Sequence, residues 1–217
     1  DKMRMRLLLS RQISVVPFLP RFIHECSFSE LRKVLPDYNE FVLQEAIGSS
    51  GGFSTYILRE ESDGDVLTQI KSKDLMVSPY YEFSTPINQH LIIYENEIVS
   101  FPFSVQLIQE FGNRLLYLGG DYISGYAFEI SVKNSINEYS RIIGETLRKL
   151  GYRGIVGIDY ILKPNGELFF LEVNPRFQAS TYVLNKTLKE NHLPSMQRLH
   201  LGAFEHPECS VKINIDS

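Results

Sequence analysis

The stretch GIDYILKPNGELFFLEVNPR, residues 157 to 176, constrains this chain more than any other. Two apolar runs flank Pro164, Asn165 and Gly166, which reads as a hairpin with strands over 153–163 and 167–175. If Asn165 and Gly166 form a two-residue type I′ turn, Pro164 faces Glu167 and every further pair keeps the same residue sum. Asp159 then faces Glu172, and Gly157 faces Asn174. Because successive side chains alternate between faces, Asp159, Ile161, Glu172 and Asn174 share one, joined by Arg176 if the strand runs that far. Ile158, Tyr160, Leu162, Phe169, Leu171 and Val173 fall on the other, predicted to be a core face under a helix.

Two carboxylates directly opposite, with β-carbons roughly 5 Å apart, repel one another unless a cation lies between them or one takes up a proton. Asp, Glu and an Asn carbonyl form an all-oxygen set. Such a set suits Mg²⁺, with Mn²⁺ as the alternative, and leaves coordination positions for phosphate oxygens and water. The spacing alone leaves two other readings open: a solvated hairpin face, and the carboxylate pair of a retaining glycosidase.

The rest of the chain supplies the context. Its 217 residues, 43% hydrophobic and 22% charged, are enough for a substantial core. A net charge of −4 with no basic run argues against a nucleic-acid or membrane-surface partner and for small ligands. Cys26 and Cys209 form no CxxC pattern and read as reduced thiols of a cytoplasmic protein. No apolar run reaches membrane-spanning length. The first residue is Asp1 rather than Met, which leads us to expect further sequence upstream.

Helices are predicted over residues 1–10 and from Ser27 to Val34, the latter with Ser27 as N-cap and Glu30 at capping-box spacing. EFVLQEA and STYILRE read as strands flanking the tip IGSSGG, and further strands are expected at 74–80, 87–95, 98–108, 114–123 and 125–132. The clearest helical periodicity runs from Ser135, at capping-box spacing from Glu138, to Leu150 before Gly151. Strands, helix, hairpin and terminal helices in that order argue for an α+β architecture. In GSSGG, Gly48 to Gly52, unobstructed backbone N–H groups and the Ser49 and Ser50 hydroxyls suit phosphate oxygens, but a mobile hairpin tip has the same composition. It is neither a P-loop nor a GxGxxG turn.

Asp1-Lys2, FVLQEAIGSSGGF and the hairpin with Asp159 followed thirteen positions on by Glu172-Val-Asn-Pro-Arg together resemble the ATP-grasp superfamily of carboxylate-amine ligases. The resemblance covers nearly the whole chain. It implies a small β-rich lid and a larger antiparallel-sheet core with flanking helices: 1–10 as a helix leading into the lid, 11–76 as the lid, 77–217 as the core with the metal site, and an N-terminal domain upstream. It further implies ATP and Mg²⁺ as cofactors, with Asp159, Glu172 and Asn174 as metal ligands and Arg176 on the transferred phosphoryl group. Lys2 would reach the phosphates, Ser49, Ser50, Gly51 and Gly52 would close over them, backbone groups of Val77, Ser78, Pro79 and Tyr80 would read adenine, and Ile161 would form an apolar floor. Asn88 falls where many relatives place an acid near nucleotide or substrate. The implied reaction is ATP-dependent coupling of a small-molecule carboxylate to an amine. A carboxylase-type activation of bicarbonate and a non-catalytic nucleotide-binding module are the alternatives.

Three positions depart from the family pattern, one of them Asn88, which is uncharged where relatives carry an acid. Gln44 replaces a lysine expected on the strand before the glycine-rich tip, and Ser78 replaces an acid. Lys71 or Lys73 are candidates to replace the missing charge, and Arg114, His90 and Tyr126 are candidates to face a substrate.

Overall fold

The computed structural model describes residues 2–45 and 55–205. The chain opens with helix α1 (Lys2–Leu9) and short strand β1 (Leu19–Phe22), followed by α2 (Phe28–Val34). Ser27 caps α2 as expected, accepting from the Glu30 backbone N–H at 3.3 Å, whereas the Glu30 carboxylate turns to Lys33 at 2.9 Å. Next come β2 (Phe41–Glu45), β3 (Thr55–Leu58), the one-turn α3 (Val66–Gln69) and β4 (Asp74–Pro79). β5 (Thr85–Ile93), β6 (Ile98–Ser100), β7 (Ser104–Phe111) and β8 (Arg114–Asp121) follow. The chain then forms α4 (Ile130–Lys149), the hairpin β9 (Gly154–Leu162) and β10 (Leu168–Asn174), and finally α5 (Thr181–Glu190) and α6 (Met196–Glu205).

The ten strands form one sheet, in the order β1-β4-β2-β3-β8-β7-β5-β9-β10 with β6 on β5, and every ladder between them is antiparallel. The fold is therefore mixed α+β, as expected. The halves β1–β4 and β5–β10 meet at one ladder pair, Tyr56 with Arg114, beside a 2.9 Å bond from Ile57 N–H to Asn113 O. The first half has its own core, in which Leu31, Phe41, Leu43 and Val77 are fully buried. In the second half α4 covers one face, with Ile136, Ile143 and Leu147 packed on Ile87, Leu91, Ile158, Tyr160 and Phe170. On the opposite face, α5 and α6 cover Ile92 and Ile155, and the remainder of that face carries Asp159.

Several local expectations change. Residues 125–132 are not a strand: α4 begins at Ile130, five residues before the expected cap, and Ser135 Oγ instead bonds Ser131 O at 3.0 Å inside the helix. Val132, packed on the core with Phe128, supplies the burial that holds this extra turn. The expected strand 98–108 is broken at Pro102, which separates β6 from β7.

The hairpin turn also differs. Lys163 N–H donates to Glu167 O and Gly166 N–H to Lys163 O, both at 2.9 Å, so Pro164, Asn165 and Gly166 form a three-residue loop. Pro164 lacks the N–H that a two-residue hairpin needs for its closing pair, but it suits the second position of a type I turn. Gly166 then takes the left-handed conformation, with φ 86°. The register is accordingly Leu168 with Leu162 and Phe170 with Tyr160, and a bulge at Leu171 restores Glu172 opposite Asp159 and Asn174 opposite Gly157. Phe170 thus enters the core, and Phe169 and Leu171 move to the other face, where Phe169 stacks on Tyr81 with ring centroids 5.7 Å apart. Gly166→Ala should cost about 1 kcal/mol in urea denaturation, from backbone strain alone, because a β-carbon there meets nothing within 4 Å.

Candidate active site

Both halves of the sheet line one cleft of about 480 Å³, a volume suited to a nucleotide-sized ligand. Its apolar part is formed by Val16, Val42, Pro79, Tyr81, Pro86, Ile108, Ile161 and Leu171. Its charged part is formed by Lys2 and Arg6 from α1, Asp159 from β9, Glu172 and Asn174 from β10, and Arg176 just beyond.

The hairpin register brings the two acids together. Asn174 Nδ2 lies between them, donating to Asp159 Oδ2 at 2.7 Å and Glu172 Oε1 at 3.1 Å, while its Oδ1 accepts from Arg176 Nη2 at 3.1 Å. Lys2 Nζ forms an ion pair with Glu172 Oε2 at 2.8 Å. Asp159 Oδ1 accepts from Asn88 at 2.7 Å and Gln106 at 2.8 Å. Burial, followed by the neighbouring charge of Glu172, pushes the Asp159 carboxyl up; Asn88 and Gln106 oppose that shift. Burial also works against charge on Glu172, but Lys2, Asn174 and Arg6 together hold it below the usual carboxylate range. One acid is therefore held ionised and its neighbour is driven toward the neutral form.

This arrangement fits a divalent cation. Asp159 is a buried carboxylate whose bonds come from uncharged amides, and the Asn174 amide nitrogen bridges the two acids. Rotating that amide presents a third oxygen to the same point. Among the described residues no group of three or more His, Cys, Asp or Glu side chains is placed to hold a metal. The candidate set is two acids and an amide, which suits an ion that keeps water or phosphate oxygens.

Most other expected residues reach the cleft, namely Gln44, Ser78, Pro79, Tyr80 and Ile161. Val77 turns its side chain into the core of β1–β4, and its backbone stands in ladder register with Leu19 on one side and Leu43 on the other. At Tyr80 the N–H donates to Glu40 O at 3.0 Å and the hydroxyl to Glu110. Asn88 is buried behind Asp159, where it also contacts Gln178 Oε1 at 3.0 Å and accepts from Ser180 at 3.2 Å, so it positions the acid without facing the cleft. Ser49, Ser50, Gly51 and Gly52 lie outside the described residues. Lys71 and Lys73 do not line the cleft, and Arg114 stacks over Tyr56 at 5.2 Å beside a different depression. His90 is fully buried, and Tyr126 is exposed away from the cleft.

Three contributors lie outside the expected set: Gln106, which holds Asp159, together with Arg6 and Gln178. Arg6 is i+4 from Lys2, so helical spacing put it on the same face, a signal that was present in the sequence. Gln178, by contrast, reaches Asn88 only because Gly157 has no side chain: a β-carbon there would lie 1.5 Å from Gln178 Oε1. Gly157→Ala should expel Gln178, loosen Asn88 and Asp159, and cost about 1–3 kcal/mol in urea denaturation. The same variant should lose nucleotide affinity in calorimetry.

The ATP-grasp domain family matches residues 1–180. The chain belongs to the ATP-grasp family. A curated relative, the [butirosin acyl-carrier protein]–L-glutamate ligase of Niallia circulans, is 29% identical over 158 residues, covering 70% of this chain and 36% of that protein. Carboxyaminoimidazole ribonucleotide synthase from Aspergillus clavatus, solved with ATP, matches at TM-score 0.71 and 16% identity over 97% of this chain and 52% of that one. The biotin carboxylase–β,γ-ATP complex from Campylobacter jejuni matches at TM-score 0.71 and 14% identity over 97% and 47%. These likenesses show an ATP-grasp fold, and the chain spans about a third of the curated relative and half of the solved chains. No helix among the described residues is long and apolar enough to cross a membrane.

Proposed function

We propose that this chain is the ATP-binding and phosphoryl-transfer part of a ligase that activates a carboxylate as an acyl phosphate and couples it to an amine. The observation that carries this reading is the convergence, in one cleft, of Lys2 on Glu172 with Asp159 and Asn174 alongside and Arg176 next to them. The apolar walls around Ile161 and Leu171 suit an adenine ring. Lys2 is positioned to hold phosphate oxygens, and Arg176 to neutralise charge on the phosphoryl group as it moves. Asp159, Glu172 and, after amide rotation, Asn174 would hold Mg²⁺, which supplies charge neutralisation between the nucleotide phosphates when bound.

In the reaction, a carboxylate oxygen attacks the γ-phosphorus and ADP departs. The amine then attacks the acyl carbon and phosphate leaves. The chain's residues contribute position, electrostatics and exclusion of the water that would hydrolyse the acyl phosphate. The lid and core division at 76/77 belongs to this proposal, although that boundary falls within β4. A cytoplasmic setting belongs to this proposal, in keeping with the free buried thiol of Cys26.

The relative's printed activity makes L-glutamate and an acyl-carrier protein the first pair of partners to try. ADP release should require both partners and a divalent cation. ADP release with bicarbonate and no amine would sink the amide-ligase version. Nucleotide binding without ADP release across carboxylate and amine panels would reduce the chain to a binding module.

A further inference from the structure

Arg6 is 1% exposed, yet it lines the cleft. Its guanidinium donates to three uncharged oxygens: Leu171 O at 2.8 Å, Gln44 Oε1 at 3.1 Å and Ser78 Oγ at 3.3 Å. Among the described residues no ion pair joins it to a carboxylate, and Glu172, the nearest acid in its network, is paired with Lys2 instead. A buried cation with only neutral partners is costly unless an anion completes it. Burial does lower its pKa, to about 10, with Glu172 opposing, so the group stays charged at neutral pH.

Two of the three departures from the family pattern, Gln44 and Ser78, touch this one guanidinium. Gln44 accepts from Arg6 through Oε1 and donates through Nε2 to Glu172 Oε2 at 3.2 Å, which an amide can do and a lysine cannot. A lysine there would set an ammonium against the guanidinium. An acid at Ser78 would pair with Arg6 and cancel the charge that the cleft otherwise keeps.

We propose that Arg6 supplies, from helix α1, a cation for the phosphates of a bound nucleotide, and that neutral Gln44 and Ser78 are what keep that charge available. This rests on the reading of the cleft as an ATP site. It identifies a nucleotide-binding residue outside the strand where the charge was expected.

Calorimetric titration of the full-length protein with Mg-ATP, and with adenosine in competition, tests it. Arg6→Met should weaken ATP binding about 10- to 100-fold while leaving adenosine unchanged. Adding Gln44→Lys to that variant should recover most of the loss, because it returns a cation to the same wall. Gln44→Lys alone should melt at a lower temperature than the double variant. Should Arg6→Met fail to fold, Ser78→Asp carries the test: it should weaken ATP about tenfold or more without lowering the melting temperature. If Arg6→Met or Ser78→Asp binds ATP as tightly as the parent, the inference falls and the ATP site stands. If the parent itself binds no ATP, the ATP site falls and Arg6 with it.

Discussion

Glu172→Gln is expected to lower ADP release by at least about 100-fold, more than removal of a group that merely supports a ligand. Glu172 is the ionised member of the acid pair, and its charge is shared by Lys2 at 2.8 Å and, through the Gln44 amide, by Arg6. The substitution is nearly isosteric, and it relieves Asp159 of one of the two influences that push it toward neutrality, the neighbouring negative charge. It also leaves Lys2 without its partner. These opposing terms put the stability cost at about 1–3 kcal/mol. The expected result is a folded protein, by circular dichroism and urea melting, with almost no turnover. Full ADP release would remove Glu172 from the site.

Acid should destabilise the protein through His90, and the sign can be worked out. The ring lies in β5 under α5, fully buried, with Nε2 3.1 Å from Thr181 Oγ1 and, among the described residues, no hydrogen-bond partner for Nδ1. Burial lowers its pKa from 6.5 to about 4. Above the unfolded value the ring is neutral in both states and contributes nothing. As pH falls through that value, the unfolded chain takes up a proton that the folded ring refuses, and stability drops by up to about 3 kcal/mol near pH 4. Urea denaturation at descending pH should show the loss in the parent and a flatter curve in His90→Gln. Thr181 Oγ1 also accepts from Gln178 N–H at 3.0 Å, and Gln178 meets Asn88 at 3.0 Å, so His90 belongs to the same buried network as Asp159. Equal pH dependence in parent and variant would count against this role.

Period-two alternation was enough to place Asp159, Glu172, Asn174 and Ile161 on one face of the hairpin. The pairing of Asp159 with Glu172 was anticipated from the wrong turn, and it survives because two deviations cancel. The loop takes one residue more than expected, and the bulge at Leu171 takes one from the ladder. Pro164 announced the first, since it cannot donate; nothing local announced the second, which is why Phe169 and Leu171 were assigned to the core face. The early start of α4 depends on Val132 meeting a core assembled from distant strands, and sequence propensity does not register such a contact. Arg6 could have been read from its spacing to Lys2, but its partners Gln44, Ser78 and Leu171 come from three strands that only the fold brings together. Likewise, Gly157 reads as a neutral strand residue in the sequence, whereas in the fold Gln178, from the segment between β10 and α5, fills the space beside it.

The most direct test of the central claim is a structure of the full-length protein with Mg²⁺ and a non-hydrolysable ATP analogue. The account predicts the adenine between Ile161 and the Pro79–Tyr81 segment, the phosphates against Lys2 and Arg6, and the cation between Asp159 and Glu172. Phosphates or cation bound away from the Asp159 and Glu172 face would contradict it.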